Sequence, residues 1–329
     1  MSATRPRLGF LGVGWIGRHR MRALAEAGVA DVALVSDPAE DCLRAALEDA
    51  DGAAPVRDLP EMIDAGVDGV VIATPSALHA DQAVAALEAG VAVFCQKPLG
   101  RTAQETRRVV DAARAADRLL GVDLSYRFTA AALAIREQVA GGTIGPVHSV
   151  DLVFHNAYGP DKAWFKDPAL SGGGCVIDLG IHLVDLLLWT LGFPAVEEAR
   201  GRLWREGAPA GPDEAEDFCL ATLELAGGTH ARLACSWFSH EGQDAVIEAT
   251  FRGRDGAASL RNLGGSFYDF EAQLRRGTSA QTLVSPPDEW GGRAAVDWAR
   301  RLAAGERHDA GVERIVDVAA ALDEVYGRR

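Results

Sequence analysis

A chain of 329 residues exceeds one small module and predicts two domains, and 48% hydrophobic residues suffice to build a large core. Its 33 Lys and Arg against 47 Asp and Glu leave a formal charge of −14 with no basic cluster, which argues against nucleic acid and anionic membranes as partners. No uninterrupted apolar run approaches the roughly 18 residues of a membrane span, and residues 1–7 are short and polar, so we expect a cytoplasmic chain that is neither exported nor membrane-spanning.

From residue 7 to about 124, short apolar runs alternate with Ala-rich helical stretches. The first strand, 8–13, runs into Gly12-Val13-Gly14-Trp15-Ile16-Gly17, a G-x-G-x-x-G series that opens the first helix, 16–27. Gly12 allows the tight turn, Gly14 lets backbone approach a pyrophosphate, Gly17 lets helix pack on strand, and the helix N-terminus favours the anion. A second strand, 32–36, ends at Asp37, 20 residues after Gly17. A carboxylate there accepts hydrogen bonds from an adenosine ribose and repels a 2′-phosphate, which predicts NAD rather than NADP. Its other reading is a cap on the helix that Pro38 begins.

Helices over 39–49, 59–65, 79–89 and 102–116, with strands near 56 and over 69–73, 91–95 and 119–123, continue the alternation. Continuous apolar strands between helices imply a parallel sheet covered on both faces, and six of them imply a doubly wound dinucleotide-type α/β domain over 1–124. Gln96-Lys97-Pro98 follows the fifth strand. The proline biases Lys97 towards extended backbone at the sheet's carboxyl edge, where open α/β sheets bind ligands.

Beyond 124 the rhythm changes to alternating strands at 147–154, 196–204, 217–225, 230–238, 245–252 and 257–261. They predict an α+β domain over 125–329 with a large, mostly antiparallel open sheet. One helix, 177–191, interrupts them, and helices at 293–303 and 312–326 close the chain. The first of these follows three glycines in Ser171-Gly172-Gly173-Gly174-Cys175-Val176-Ile177-Asp178-Leu179-Gly180-Ile181-His182-Leu183-Val184-Asp185. Asp178 and His182 share a helix face, and a carboxylate one turn from an imidazole orients it and raises its pKa for proton transfer to or from a substrate hydroxyl. The other readings are a satisfied polar pair and, with Asp185 added, a metal site. Three sparse ligands are weak support for a metal, and none is expected. His155, Tyr158, Lys162 and Trp164 lie on the loop before the glycines and are candidates to line a ligand site; Tyr126 and Arg127 follow the sixth strand near the expected cleft, where core packing and a surface ion pair are equal readings. Cys42, Cys95, Cys175, Cys219 and Cys235 are widely spaced, include no C-x-x-C, and read as reduced thiols.

With these motifs the chain resembles the Gfo/Idh/MocA family, named after glucose-fructose oxidoreductase and inositol dehydrogenase. The resemblance covers essentially the whole chain and rests on the glycine fingerprint, Ala73-Thr74-Pro75 with His79, Lys97-Pro98, Gly145-Pro146-Val147 and the G-G-G-x-x-x-D-x-G-x-H-x-x-D run. It implies an N-terminal Rossmann domain, a C-terminal domain whose open sheet forms homodimer or homotetramer contacts, and NAD- or NADP-dependent oxidation or reduction of a hydroxyl on a sugar, inositol or related polyol. By resemblance, Lys97 contacts the reacting hydroxyl, and Asp178 and His182 supply the acid or base. Cofactor contacts are expected from Gly12, Gly14, Trp15, Ile16, Gly17, Asp37, Thr74, Pro75, His79, Gln96 and Lys97. Substrate contacts are expected from Lys97, Tyr126, Arg127, His155, Trp164, Asp178 and His182. One departure is Gln96, where the family usually has the Glu of Glu-Lys-Pro, so that Lys97 loses a nearby anion. NAD-dependent glycoside hydrolysis within the same family is a second expectation and a non-catalytic dinucleotide-binding sensor a third; retention of Lys97, Asp178 and His182 speaks against the sensor.

Overall fold

Strands that are apolar along their whole length need cover on both faces, and every residue of Gly69–Ile72 and Ala92–Cys95 is buried. The computed structural model describes residues 5–328, so the first four residues of the polar start lie outside the described residues. In chain order the first elements are β1 (Arg7–Leu11), α1 (Trp15–Ala27), β2 (Asp31–Ser36), α2 (Glu40–Asp49), β3 (Ala54–Pro55), α3 (Leu59–Asp64), β4 (Gly69–Ile72), α4 (Ser76–Glu88), β5 (Ala92–Cys95), α5 (Ala103–Ala116) and β6 (Leu120–Val122). The six strands form one parallel sheet in the order β3-β2-β1-β4-β5-β6. That order reverses between β1 and β4, and in such doubly wound sheets the ligand crevice lies outside the carboxyl ends of the strands at this switch point.

The chain continues with α6 (Ala130–Ala140), β7 (Val147–Asn156), the single turn α7 (Pro168–Ser171), a π-helical turn (Val176–Gly180) that runs into α8 (Ile181–Thr190), β8 (Val196–Arg205), β9 (Ala208–Pro209), β10 (Phe218–Leu225), β11 (Thr229–Ser236), β12 (Ala245–Gly253), β13 (Ala257–Asn262), β14 (Phe270–Arg276), β15 (Ser279–Val284), α9 (Arg293–Ala303) and α10 (Ile315–Val325). Nine strands, β15-β14-β13-β12-β7-β11-β10-β8-β9, make a sheet that is antiparallel except where β7 lies beside β11. α6, α8 and α10 pack on it. Strand β10 alternates buried and exposed residues, as a sheet with one covered face requires. The segment Pro168–Thr190 has the length and hydropathy of a membrane span, yet 89% of its most apolar window is buried inside the protein, as in a core helix.

The structure departs from the sequence reading at several points, among them the short α7 and β9 and the π turn that opens the helix predicted over 177–191. α6 is Ala-rich with little contrast between its faces, and β14 and β15 carry many polar side chains, so neither pattern announced itself. The domain boundary also differs. One compact unit runs up to Gly100 and adds Gln104–Ser125 and Gly291–Arg314; the other comprises Arg101–Ala103, Tyr126–Trp290 and the chain from Ile315 onward. α9 therefore belongs to the first unit and not, as chain order predicts, to the second. Packing is the reason: Trp298 lies against Phe94 with ring centroids 5.6 Å apart, in space left by Gly69 and Gly121, where added β-carbons would come within 2.7 and 2.8 Å of the indole.

Candidate functional site

At the end of β1 the chain must turn through the left-handed region. Gly12 has φ +86°, and a β-carbon there would meet the Ala73 carbonyl at 2.6 Å; one on Gly17 would lie 2.2 Å from the Gly12 oxygen. Gly14 is the N-cap of α1 without a side-chain bond, and the first turn holds no acidic residue, so the helix start suits an anion. Trp15 beside it is 67% exposed. Asp37 accepts from the Val13 N–H at 2.8 Å and from the Ala39 N–H at 2.9 Å, which fixes its carboxylate against the glycine loop; the N-cap of α2 is Ala39, without a side-chain bond, so Asp37 does not cap that helix. These residues fit a dinucleotide.

Thr74 donates its hydroxyl to Gln82, and Pro75 is the N-cap of α4. His79 is buried, with its ring nitrogens 2.7 Å from the carbonyl oxygens of Thr74 and Pro98. It ties the turn after β4 to the Lys97–Pro98 segment from within the unit. Two carbonyl partners favour a doubly protonated ring, but burial, helped by the nearby Lys97 cation, outweighs them and holds the pKa below the usual imidazole value.

Gln96 and Asp123 directly follow Cys95 and Val122, which are paired on β5 and β6. The Gln96 amide donates to Asp123 Oδ2, and Arg20 of α1 reaches the same oxygen with its Nε at 2.6 Å. All three side chains are buried. The carboxylate absent from position 96 is thus found on Asp123, one hydrogen bond from Gln96.

In the second unit the triple glycine is shaped by what lies against it. Gly173 has φ +156°, and β-carbons on Gly173 and Gly174 would come within 2.1 Å of the Tyr326 hydroxyl and 1.9 Å of the Glu216 carbonyl oxygen. Glu216, 1% exposed, accepts from the N–H groups of Gly174 and Val176, each at 2.9 Å, and from the Tyr326 hydroxyl at 2.8 Å. Burial lifts its carboxyl above the usual range. This clamp holds the start of the π-helical turn that carries Asp178, and the α8 that continues it carries His182. Such π turns recur at functional sites.

Asp178 accepts from the Trp237 indole N–H at 3.1 Å. His182, buried, lies against Tyr126 with ring centroids 4.7 Å apart, and Phe154 stands 6.3 Å away. Burial raises the Tyr126 phenol well above its ordinary pKa, so it stays protonated. Arg127 bonds both oxygens of Asp185, Nε at 2.8 Å from Oδ2, and its guanidinium lies 5.4 Å from the Phe193 ring centre. Burial raises the Asp185 carboxyl, with Arg127 opposing it. His155 Nδ1 lies 2.7 Å from Ser236 Oγ, and Trp164 stacks on Phe165 at 3.8 Å. The unit therefore gathers Tyr126, Asp178 and His182, whereas Arg127, His155 and Trp164 have partners of their own. Among the described residues, no group of three or more His, Cys, Asp or Glu is placed to hold a metal ion. A cleft of about 680 Å³ lined by Arg136, Pro146, Thr190 and Arg254 contains none of the expected site residues. Sequence reading missed Trp237, which directly follows β11, and Glu216, which sits in the run Asp213-Glu214-Ala215-Glu216-Asp217 that looks solvated.

Residues 7–124 match a family model described as "Oxidoreductase family, NAD-binding Rossmann fold", and residues 132–259 match "GFO/IDH/MocA C-terminal domain". The chain belongs to the Gfo/Idh/MocA family. It is similar to rhizopine catabolism protein MocA of Rhizobium meliloti, at 35% identity over 191 residues, covering 57% of this chain and 58% of that protein. The match thus takes in little more than half of that relative's length. Inositol 2-dehydrogenase of Rhizobium meliloti (strain 1021) is 30% identical over 259 residues, 78% of this chain and 76% of that one. GenD2 from gentamicin A biosynthesis, solved in complex with NAD, superposes with a TM-score of 0.81 at 24% identity, covering 98% of this chain and 93% of that one, so this Gfo/Idh/MocA member shares that fold.

Proposed function

We propose that this chain is an NAD-dependent oxidoreductase that moves a hydride between nicotinamide and a secondary alcohol carbon of a sugar, inositol or related polyol. The observation that carries the reading is the Asp178 and His182 pair, Asp178 on a clamped π turn with an indole N–H on its carboxylate and His182 on the α8 that continues it, with a phenol ring against the imidazole. Bound NAD supplies the hydride acceptor. Gly12, Gly14 and Gly17 admit the pyrophosphate at the start of α1 with Trp15 and Ile16 beside it, and Asp37 binds the adenosine ribose and repels a 2′-phosphate. Thr74, Pro75, His79 and Gln96 shape the remaining cofactor edge. Lys97 polarises the alcohol oxygen, and His182, oriented by Asp178, takes its proton.

A relative named inositol 2-dehydrogenase supports the substrate class. Five free cysteines support a reducing, cytoplasmic setting. The outward residues of β10, with Leu220 46% exposed, support a homodimer or homotetramer formed through the nine-stranded sheet, which sedimentation measures. Purified protein with NAD, offered sugars, inositols and sugar acids, tests the function. NADH accumulation is expected; glycoside release without net NADH marks the hydrolase instead, and NAD binding with neither product marks a sensor.

A further inference from the structure

A series of side-chain contacts, linked through neighbouring residues of the chain, leads from Asp178 to His182 within the second unit. It starts at Asp178, which accepts from Trp237. The next residue, Phe238, has φ +62°, and its ring lies over Gly159, where a β-carbon would come within 2.5 Å. Tyr158, beside Gly159, has its ring 6.3 Å from Phe267. Tyr268 follows, 6.1 Å from Trp290, and Trp290 lies 5.1 Å from Tyr126, the ring that backs His182. The series ends one helical turn from where it began. Its inner members, Trp237, Tyr126 and Trp290, are buried; its outer members, Phe238, Tyr158 and Tyr268, are 49%, 51% and 48% exposed.

Phe238 is the informative member. A bulky side chain in the left-handed region carries a steric penalty, and such outliers concentrate at ligand clamps. Half of this ring stays in water, so its packing returns little for that strain. Gly159 leaves the room the ring needs, and the Lys166 ammonium stands 6.0 Å from its centre. Sugar rings stack their C–H faces on aromatic rings, and a flat apolar group stacks on them with a larger contact. Three half-exposed rings on separate segments offer apolar faces that a free polyol, hydroxylated around its rim, matches poorly.

We propose that Phe238, with Tyr158 and Tyr268, forms the specificity-determining rim of the substrate site, and that the substrate is a glycoside bearing a planar apolar aglycone. The inference rests on the oxidoreductase reading above. It predicts which members of the polyol class are turned over best and assigns the choice to residues outside the proton-transfer pair.

The test compares nitrophenyl glycosides, methyl glycosides and inositol as substrates with NAD, for the unaltered protein, Phe238→Gly and Tyr268→Ala. Tryptophan fluorescence, sensitive to Trp237 and Trp290, reads binding without turnover, and a thermal melt reads folding. The unaltered protein should favour nitrophenyl over methyl glycosides by about tenfold or more in kcat/KM, and Phe238→Gly should erase most of that ratio. Because glycine adopts φ +62° without strain, the same variant should melt no lower than the parent. Equal ratios in parent and variant, with polyols still oxidised, would overturn the rim while leaving the oxidoreductase reading intact. Selective quenching by nitrophenyl glycosides with no NADH from any compound would support the rim and sink the oxidoreductase reading. A Phe238→Gly protein that changes its sedimentation but not its substrate ratio would show the rings to be a contact between copies, which also overturns the rim.

Discussion

Replacing Gln96 by Glu sets a second carboxylate against Asp123 in a place closed to water, where the Gln96 amide now donates to Asp123 Oδ2 and Arg20 lies 2.6 Å from the same oxygen. Two like charges about 4 Å apart repel by about 4 kcal/mol at an effective dielectric of about 20. The new group can escape by staying protonated, and keeping a glutamic acid of ordinary pKa about 4.3 neutral at pH 7 costs about 3.7 kcal/mol at about 1.36 kcal/mol per unit. Arg20 offsets part of either cost, which leaves an expected loss of about 2–3 kcal/mol at neutral pH. Since the folded state raises the pKa of the introduced Glu, folded protein holds a proton that unfolded protein has released. The loss is therefore absent below about pH 4.3, grows as pH rises, and is complete once pH passes the raised folded value. Urea unfolding at pH 5 and pH 8 measures it. Adding Asp123→Asn should recover most of the stability, because the site again holds one carboxylate beside Arg20. A Gln96→Glu protein as stable as the parent at pH 8, or no recovery in the double variant, would refute the coupling of these residues.

Arg127→Met should cost about 3–5 kcal/mol by leaving the buried Asp185 charge uncompensated, and a further Asp185→Leu should restore much of it; denaturant midpoints decide, and an unaffected Arg127→Met protein would return Arg127 to the list of possible substrate ligands. Glu216→Gln turns an amide towards the Gly174 N–H, leaves that donor unpaired, and should cost about 1–3 kcal/mol while lowering turnover more than NAD affinity. Asp37→Ala should narrow the preference for NAD over NADP; equal use of both cofactors by the unaltered protein would contradict the role given to this carboxylate.

How much could be read in advance depended on how local each signal was. The glycine fingerprint, the strand before it and α1 after it lie within 21 consecutive residues, Arg7 to Ala27, and their periodicity and turn chemistry agree. The place of α9 was hidden because Trp298 answers to Gly69 and Gly121, glycines whose cause is a side chain far along the chain. That Asp178 and His182 lie on one continuous helical segment was legible from the sequence; the Trp237 indole on Asp178, 59 residues away, was not. Gln96 and Asp123 were within reach, since each follows the last paired residue of adjacent parallel strands, but only register shows that they meet. Arg127 read equally as a cleft residue, as core packing or as a surface ion pair, because its partner Asp185 comes from a helix whose facing side the sequence leaves open.

The most direct measurement is the initial rate of NADH formation by the unaltered protein and by His182→Ala, on the best substrate of a glycoside, sugar and inositol panel, with NAD affinity measured in parallel. NADH should accumulate with the unaltered protein, and His182→Ala should fall by about 10²- to 10⁴-fold in turnover with NAD affinity nearly intact. No NADH from any secondary alcohol, or a His182→Ala protein as fast as its parent, would contradict the account.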